Sequence, residues 1–167
     1  MVIKQRSHRA GLVGKFLLGM ALAVLLSFPL SQSVFARENS TLTVEVKGLK
    51  NQQGQVCMAL FNSSRGFPQD RENAYYTKCT SISDRPLKIE IPDLPWGNYA
   101  LGLFHDENAD SEIDTNFIGA PKEGFGFSNN PQMRTRPANF GEAMFVVGGR
   151  NTKIGIEMQY PYGGSSS

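Results

Sequence analysis

Leu94-Pro95-Trp96-Gly97-Asn98-Tyr99 carries the pattern L-x-x-G-x-Y. In this pattern a tyrosine at the start of a strand sends its hydroxyl back to the preceding turn and pins a crossover between two sheets, the tyrosine corner of β-sandwiches. Leu94, Gly97 and Tyr99 are therefore assigned a structural role. The flanking sequence agrees. Before the corner, Leu87, Ile89 and Ile91 alternate with Lys88 and Glu90, the period of a half-buried strand. After it, residues 98–105 put Tyr99, Leu101 and Leu103 on one face and Ala100, Gly102 and Phe104 on the other.

Further from the corner the same alternation returns. Leu42, Val44 and Val46 interleave with Thr43, Glu45 and Lys47. After a turn at 51–54, residues 55–61 are apolar on both faces, which predicts a central strand covered on both sides. Residues 62–73 are irregular, and 75–82 read as a strand. Residues 106–142 are rich in Asp, Asn, Gly and Pro without a clear period. Strands at 143–147 and 153–160 close the chain, with Ile154, Ile156 and Met158 directed inward, and the link at 148–151 suits a hairpin. No helical period occurs. The expectation is an all-β, antiparallel β-sandwich of about seven strands over residues 37–160, followed by a flexible tail at 161–167.

The N-terminus is a different kind of segment. Lys4, Arg6, Arg9 and Lys15 form a basic head, residues 16–30 are apolar, and Val34-Phe35-Ala36 is a cleavage pattern. Residues 1–36 thus read as a secretory signal peptide, its apolar run shorter than the roughly 20 residues a membrane helix needs. Without it the chain holds all 15 acidic residues but only 13 of the 17 basic ones. A slightly acidic domain lacks the footprint of a nucleic-acid binder, and no later stretch is apolar for long enough to span a membrane. The two cysteines, Cys57 and Cys79, in a chain bound for an oxidising compartment predict a disulfide.

The most informative loop runs from His105 to Asn116. Side-chain oxygens recur at Asp106, Asn108, Asp110, Glu112 and Asp114, every second residue. Loops of this kind can wrap a calcium ion, which takes six to eight oxygens, so these five are candidate metal ligands and calcium the candidate cofactor. The match is incomplete, since Ser111 stands where the sharp turn prefers Gly and Phe117 where a bidentate Glu would close the sphere. The other reading is a turn in which Asp and Asn bond neighbouring backbone amides. His105, the one histidine after the leader, suggests a hydrolase pair with Asp106 or Glu123, but no nucleophile accompanies it. Residues 124–128 neither follow a strand nor open a helix, so they are not a phosphate loop, and Ser128 lacks a nucleophile-elbow context.

The run LPWGNYALGLFHDENADSEIDTNFIGAPKEGFGFSNN, residues 94–130, resembles the core signature of DUF2141, a bacterial family of exported proteins. The resemblance extends to Ala59-Leu60-Phe61-Asn62 and Gly66-Phe67-Pro68. It implies an exported, periplasmic or extracellular domain with a transthyretin-like or immunoglobulin-like sandwich, and no activity. Members of that family usually carry Gly where this chain has Ala109 and Ser111, and Asn where it has Asp110. The expected function is a non-enzymatic binding or structural module of the cell envelope, whose partner is an envelope protein or a small ligand. The alternatives are an envelope hydrolase using His105, or a transthyretin-like oligomer binding a small ligand between subunits.

Overall fold

Alternation decides the first strand, in which Leu42, Val44 and Val46 are wholly buried and their neighbours are not. The computed structural model describes residues 38–132 and 136–160, so the leader, the cleavage point after Ala36 and the tail at 161–167 lie outside the described residues. Eight strands occur among the described residues: β1 (Asn39–Lys47), β2 (Gln55–Phe61), β3 (Tyr76–Ser81), β4 (Leu87–Pro95), β5 (Gly97–Asp106), β6 (Phe125–Phe127), β7 (Met144–Val147) and β8 (Asn151–Glu157). One sheet has the order β4-β1-β8 and the other β3-β2-β5-β6. β7 shares an edge of β5 with β6, pairing with residues 97–100 while β6 pairs with 102–104. The arrangement is a two-sheet sandwich with no closed barrel.

Three details differ from the alternation pattern. β6 escapes notice in the sequence because three residues, Phe-Gly-Phe, are too few to show a period. The sheets are not wholly antiparallel, because β8 runs parallel to β1. Nor do β7 and β8 form a hairpin: β7 pairs with β5 in one sheet and β8 with β1 in the other. Phe145 and Val147 on β7 and Ile156 on β8 are all buried. Placing them in opposite sheets lets the two apolar rows close on each other, which pairing within one sheet would prevent.

The interior between the sheets holds Val56, Met58 and Leu60 from β2, Ile89 and Ile91 from β4, and Leu101 and Leu103 from β5, beside the β1 residues. Each such side chain contributes about 1.5–3 kcal/mol by leaving water. β2 is apolar on its other face because residues 62–74 fold back over it. Phe67 packs edge-on against Phe61 at 5.3 Å and against Phe140 at 6.0 Å, and lies 5.9 Å from Phe127. Cys57 and Cys79 face each other across β2 and β3 and form a disulfide.

At the β4–β5 crossover Tyr99 Oη donates to the Pro95 carbonyl at 3.0 Å. A Cβ at position 97 would lie 3.4 Å from the Tyr99 ring, so glycine there lets the ring fold back over the bend. This crossover takes the chain from one sheet to the other, and β5 then delivers its last residues to the far end of the sandwich.

Candidate functional site

β5 ends in two wholly buried polar residues, His105 and Asp106. The loop that follows returns to β6 through a third, Glu123, also buried. A buried carboxylate must be satisfied by donors, and the loop is built to do so. Asp106 Oδ2 accepts from Gln55 Nε2 and from Ser111 N, each at 2.8 Å, and Oδ1 accepts from Asp110 N at 3.3 Å. Burial pushes this carboxyl up, but the Gln55 amide and the N–H groups of Ser111, Ala109 and Asp110 outweigh it and hold the group below the ordinary carboxylate range. Ala109 and Ser111 have φ of 60° and 67°, the left-handed region. These turns bring successive N–H groups onto one point, the concavity called a nest that receives anions. Here the anion is the chain's own Asp106.

Glu123 does the same for the rest of the loop. Its two oxygens accept from Glu107 N at 3.1 Å and Asp114 N at 3.0 Å. Burial raises its carboxyl, the two N–H groups oppose that, and the charges of Asp106 and Asp114 add to the rise. Beyond this base the chain forms a small closed turn. Thr115 bridges Pro121, Lys122 N donates to Asp114 O, and Asn116 Oδ1 accepts from Ile118 N and Ala120 N, both at 3.0 Å. Gly119 adopts φ 79° to complete it. The turn directs Phe117 and Ile118 outward, 99% and 71% exposed.

Of the five candidate calcium ligands, Asp106, Asn108, Asp110 and Glu112 are drawn together by bonds among themselves, the first through Asp110 N. Asn108 Nδ2 donates to Asp110 Oδ2 at 2.8 Å, Asp110 N to Asn108 Oδ1 at 3.3 Å, and Glu112 N to Asp110 Oδ1 at 2.8 Å. The Glu112 and Asp114 side chains are exposed. Among the described residues no three of His, Cys, Asp and Glu are grouped so as to hold a metal ion. The chemistry of the donor set also does not fit: the concavity presents N–H groups, which repel a cation, and Asp106 is already turned into it. The repulsion expected of closely spaced acids is relieved by backbone N–H groups.

His105 is engaged at both nitrogens. Nε2 lies 2.9 Å from the Gln53 carbonyl, which only accepts, so Nε2 carries the proton; Nδ1 then accepts from Tyr160 Oη at 2.8 Å. Tyr160 Oη in turn accepts from Lys50 N at 3.0 Å. This chain of bonds joins the β1–β2 turn, β5 and the residue that ends the described C-terminus. It accounts for Gly124, where a Cβ would meet the Tyr160 ring at 2.3 Å. His105 is not brought into a hydrogen bond with Asp106 or Glu123, both of which are spent on the loop. A carboxylate pair for His105 is therefore absent among the described residues.

Residues 128–130, whose bonding role has no counterpart in the strand pattern, stitch the site to the rest of the sandwich. Ser128, wholly buried, accepts from Leu101 N at 2.9 Å and donates to the Ala143 carbonyl. Asn129 Nδ2 donates to Met144 O at 2.6 Å. Asn130 acts as a strand partner to β8, donating to Gly155 O at 3.0 Å and accepting from Glu157 N at 2.8 Å. Both asparagines have positive φ, 63° and 48°. Asn is among the few residues that tolerate it, and that pairing at the end of Phe-Gly-Phe was the available signal. Arg71 Nη1, donating to Ser111 O at 2.8 Å, ties the 62–74 segment to the loop.

No curated protein and no solved structure matches the chain. A family model described as an uncharacterized protein conserved in bacteria matches residues 44–155, from the middle of β1 to the middle of β8 and through the whole loop. Covering well over half of the sequence and every strand of both sheets, that match makes the chain a member of the DUF2141 family.

Proposed function

We propose that this chain is an exported, non-enzymatic binding module of the cell envelope that offers the Phe117–Ile118 tip to a partner protein. The observation that carries the reading is Phe117, 99% exposed on a turn whose base is fixed by two buried carboxylates. A solvated connection has no need to raise two large apolar side chains on so ordered a support. A rigid display lowers the entropy lost on binding. The exposed acids at Asp110, Glu112 and Asp114, which precede the tip in the same loop, suit a partner pocket that is apolar and rimmed by positive charge. Export rests on the leader at 1–36, and the disulfide suits an oxidising compartment. His105 supports a non-enzymatic reading, since its ring is buried and both nitrogens are bonded within the protein.

The test places a photoreactive phenylalanine analogue at position 117 of the full chain in cells, with Lys88 on the exposed face of β4 as the control position. The expected result is a discrete adduct from 117, absent from 88 and weakened by Glu112→Lys with Asp114→Lys, on a mature chain that starts at Arg37 outside the cytoplasm. The same adducts from both positions, or none from 117, would overturn the proposal.

A further inference from the structure

The opposite end of the sandwich carries a second feature. β5 has ten residues, about 30 Å at roughly 3.3 Å each, and separates this end from the acidic loop. Around the β4–β5 corner lies an open cleft of about 270 Å³ lined by Asn62, Tyr75, Trp96, Asn98 and Tyr99, among others. Two of its aromatic rings face solvent, Trp96 at 49% and Tyr75 at 47% exposure. Neither is loose. The Trp96 indole N–H donates to Gly149 O at 2.9 Å, and its backbone N–H to Glu38 O at 3.1 Å. Tyr75 rests edge-on against Tyr99 at 5.7 Å, and Tyr99 is itself anchored to Pro95.

The polar part of the lining is equally specific. Asn62 and Asn98 are exposed, and neither carboxamide hydrogen-bonds within the described residues. Each amide offers a donor and an acceptor side by side. Among the described residues, no charged side chain lines the cleft. Held aromatic faces next to unpaired amides, without a charge, match a ligand with an apolar C–H face, a rim of hydroxyls and no net charge.

We propose that this cleft binds a neutral oligosaccharide, the C–H face of its sugar rings stacked on Trp96 and Tyr75 and adjacent hydroxyls paired with Asn62 and Asn98. A proline-rich peptide also favours aromatic grooves, but with few N–H groups it would use only the donors of Asn62 and Asn98 and leave their carbonyl oxygens unpaired, whereas sugar hydroxyls both donate and accept. The indole N–H is already given to Gly149. A charged ligand would find no countercharge.

Trp96 is the chain's single tryptophan, so its fluorescence reports this cleft alone. The mature chain is titrated with neutral tetra- to hexasaccharides of the cello-, xylo-, malto- and chito- series. At least one series is expected to give a saturable change with a Kd of about 1 mM or tighter, insensitive to added salt. Tyr75→Ala and Asn98→Ala, read through the same fluorophore and checked for an unchanged melt, each weaken it about tenfold or more. Trp96→Ala abolishes binding by calorimetry, whereas Phe117→Asp leaves it intact, so this result and that for the tip stand or fall separately. The proposal is overturned if no series saturates up to about 10 mM, if folded Tyr75→Ala and Asn98→Ala bind as the parent does, or if only proline-rich peptides bind.

Discussion

Replacing Ala109 with glycine should stabilise this protein. Ala109 is exposed, with φ of 60° and its N–H turned toward Asp106. The substitution therefore removes a strained backbone state and little packing. A left-handed conformation costs an L-residue roughly 1–2 kcal/mol, and glycine returns about 0.5–1 kcal/mol of that through the greater freedom of the unfolded chain. The net gain is about 0.5–1 kcal/mol, which for a domain of this size raises Tm by roughly 2–4 °C. Ser111→Gly relieves the same strain at φ 67° but gives up the Gln55 contact to Ser111 Oγ at 3.2 Å, so its gain is smaller. Ala109→Val, β-branched at positive φ, should lower Tm instead. Thermal melts and urea titrations at neutral pH measure all three. If Ala109→Gly destabilises by about 0.5–1 kcal/mol, as at an ordinary backbone position, the nest around Asp106 is not formed and the reasoning fails.

The two buried carboxylates should respond to acid with opposite sign. Asp106, held below its ordinary 3.8, contributes stability above that value and loses it as pH falls through its lower folded value. Asp106→Asn should therefore cost about 1–3 kcal/mol near neutrality and flatten the acid limb of a Tm–pH curve; a limb parallel to that of the parent refutes this. Glu123, raised above its ordinary 4.5, destabilises the fold once ionised, so its contribution improves as pH falls from its folded value toward 4.5. Glu123→Gln should remove that slope, and retention of the slope would assign it elsewhere. Reducing the Cys57–Cys79 bridge, whose cysteines are 22 residues apart, should cost about 3 kcal/mol and roughly 10 °C in Tm, with an unchanged melt after verified reduction as the contrary result. Calorimetry with millimolar calcium should give no heat of binding, and submillimolar binding lost in Asp110→Ala would restore the cation reading.

The strands were legible because burial writes itself into alternate residues. Leu42, Val44 and Val46, or Leu87, Ile89 and Ile91, mark an inner face without help from the rest of the chain. The both-faced apolarity of 55–61 likewise announced a covered central strand, although not that Phe67 covers it. Partner choice is different. Nothing local in 151–157 states that its neighbour is β1 and not β7, because parallel and hairpin pairings bury the same side chains. The loop was harder still. Alternating Asp and Asn oxygens look alike whether they await a metal or backbone N–H groups, and the difference lies in the sign of φ at Ala109 and Ser111. The buried roles of Glu123 and Ser128 depend on residues from 9 to 27 positions away, beyond the reach of any local pattern.

Because β8 lies alongside β1, the first strand to be made completes its sheet only with nearly the last. A nascent chain short of residue 151 has β1 with one edge bare. On the export reading proposed above, such a polypeptide cannot close its first sheet until its rear has followed the front across a membrane. The order of assembly thus suits the proposed export.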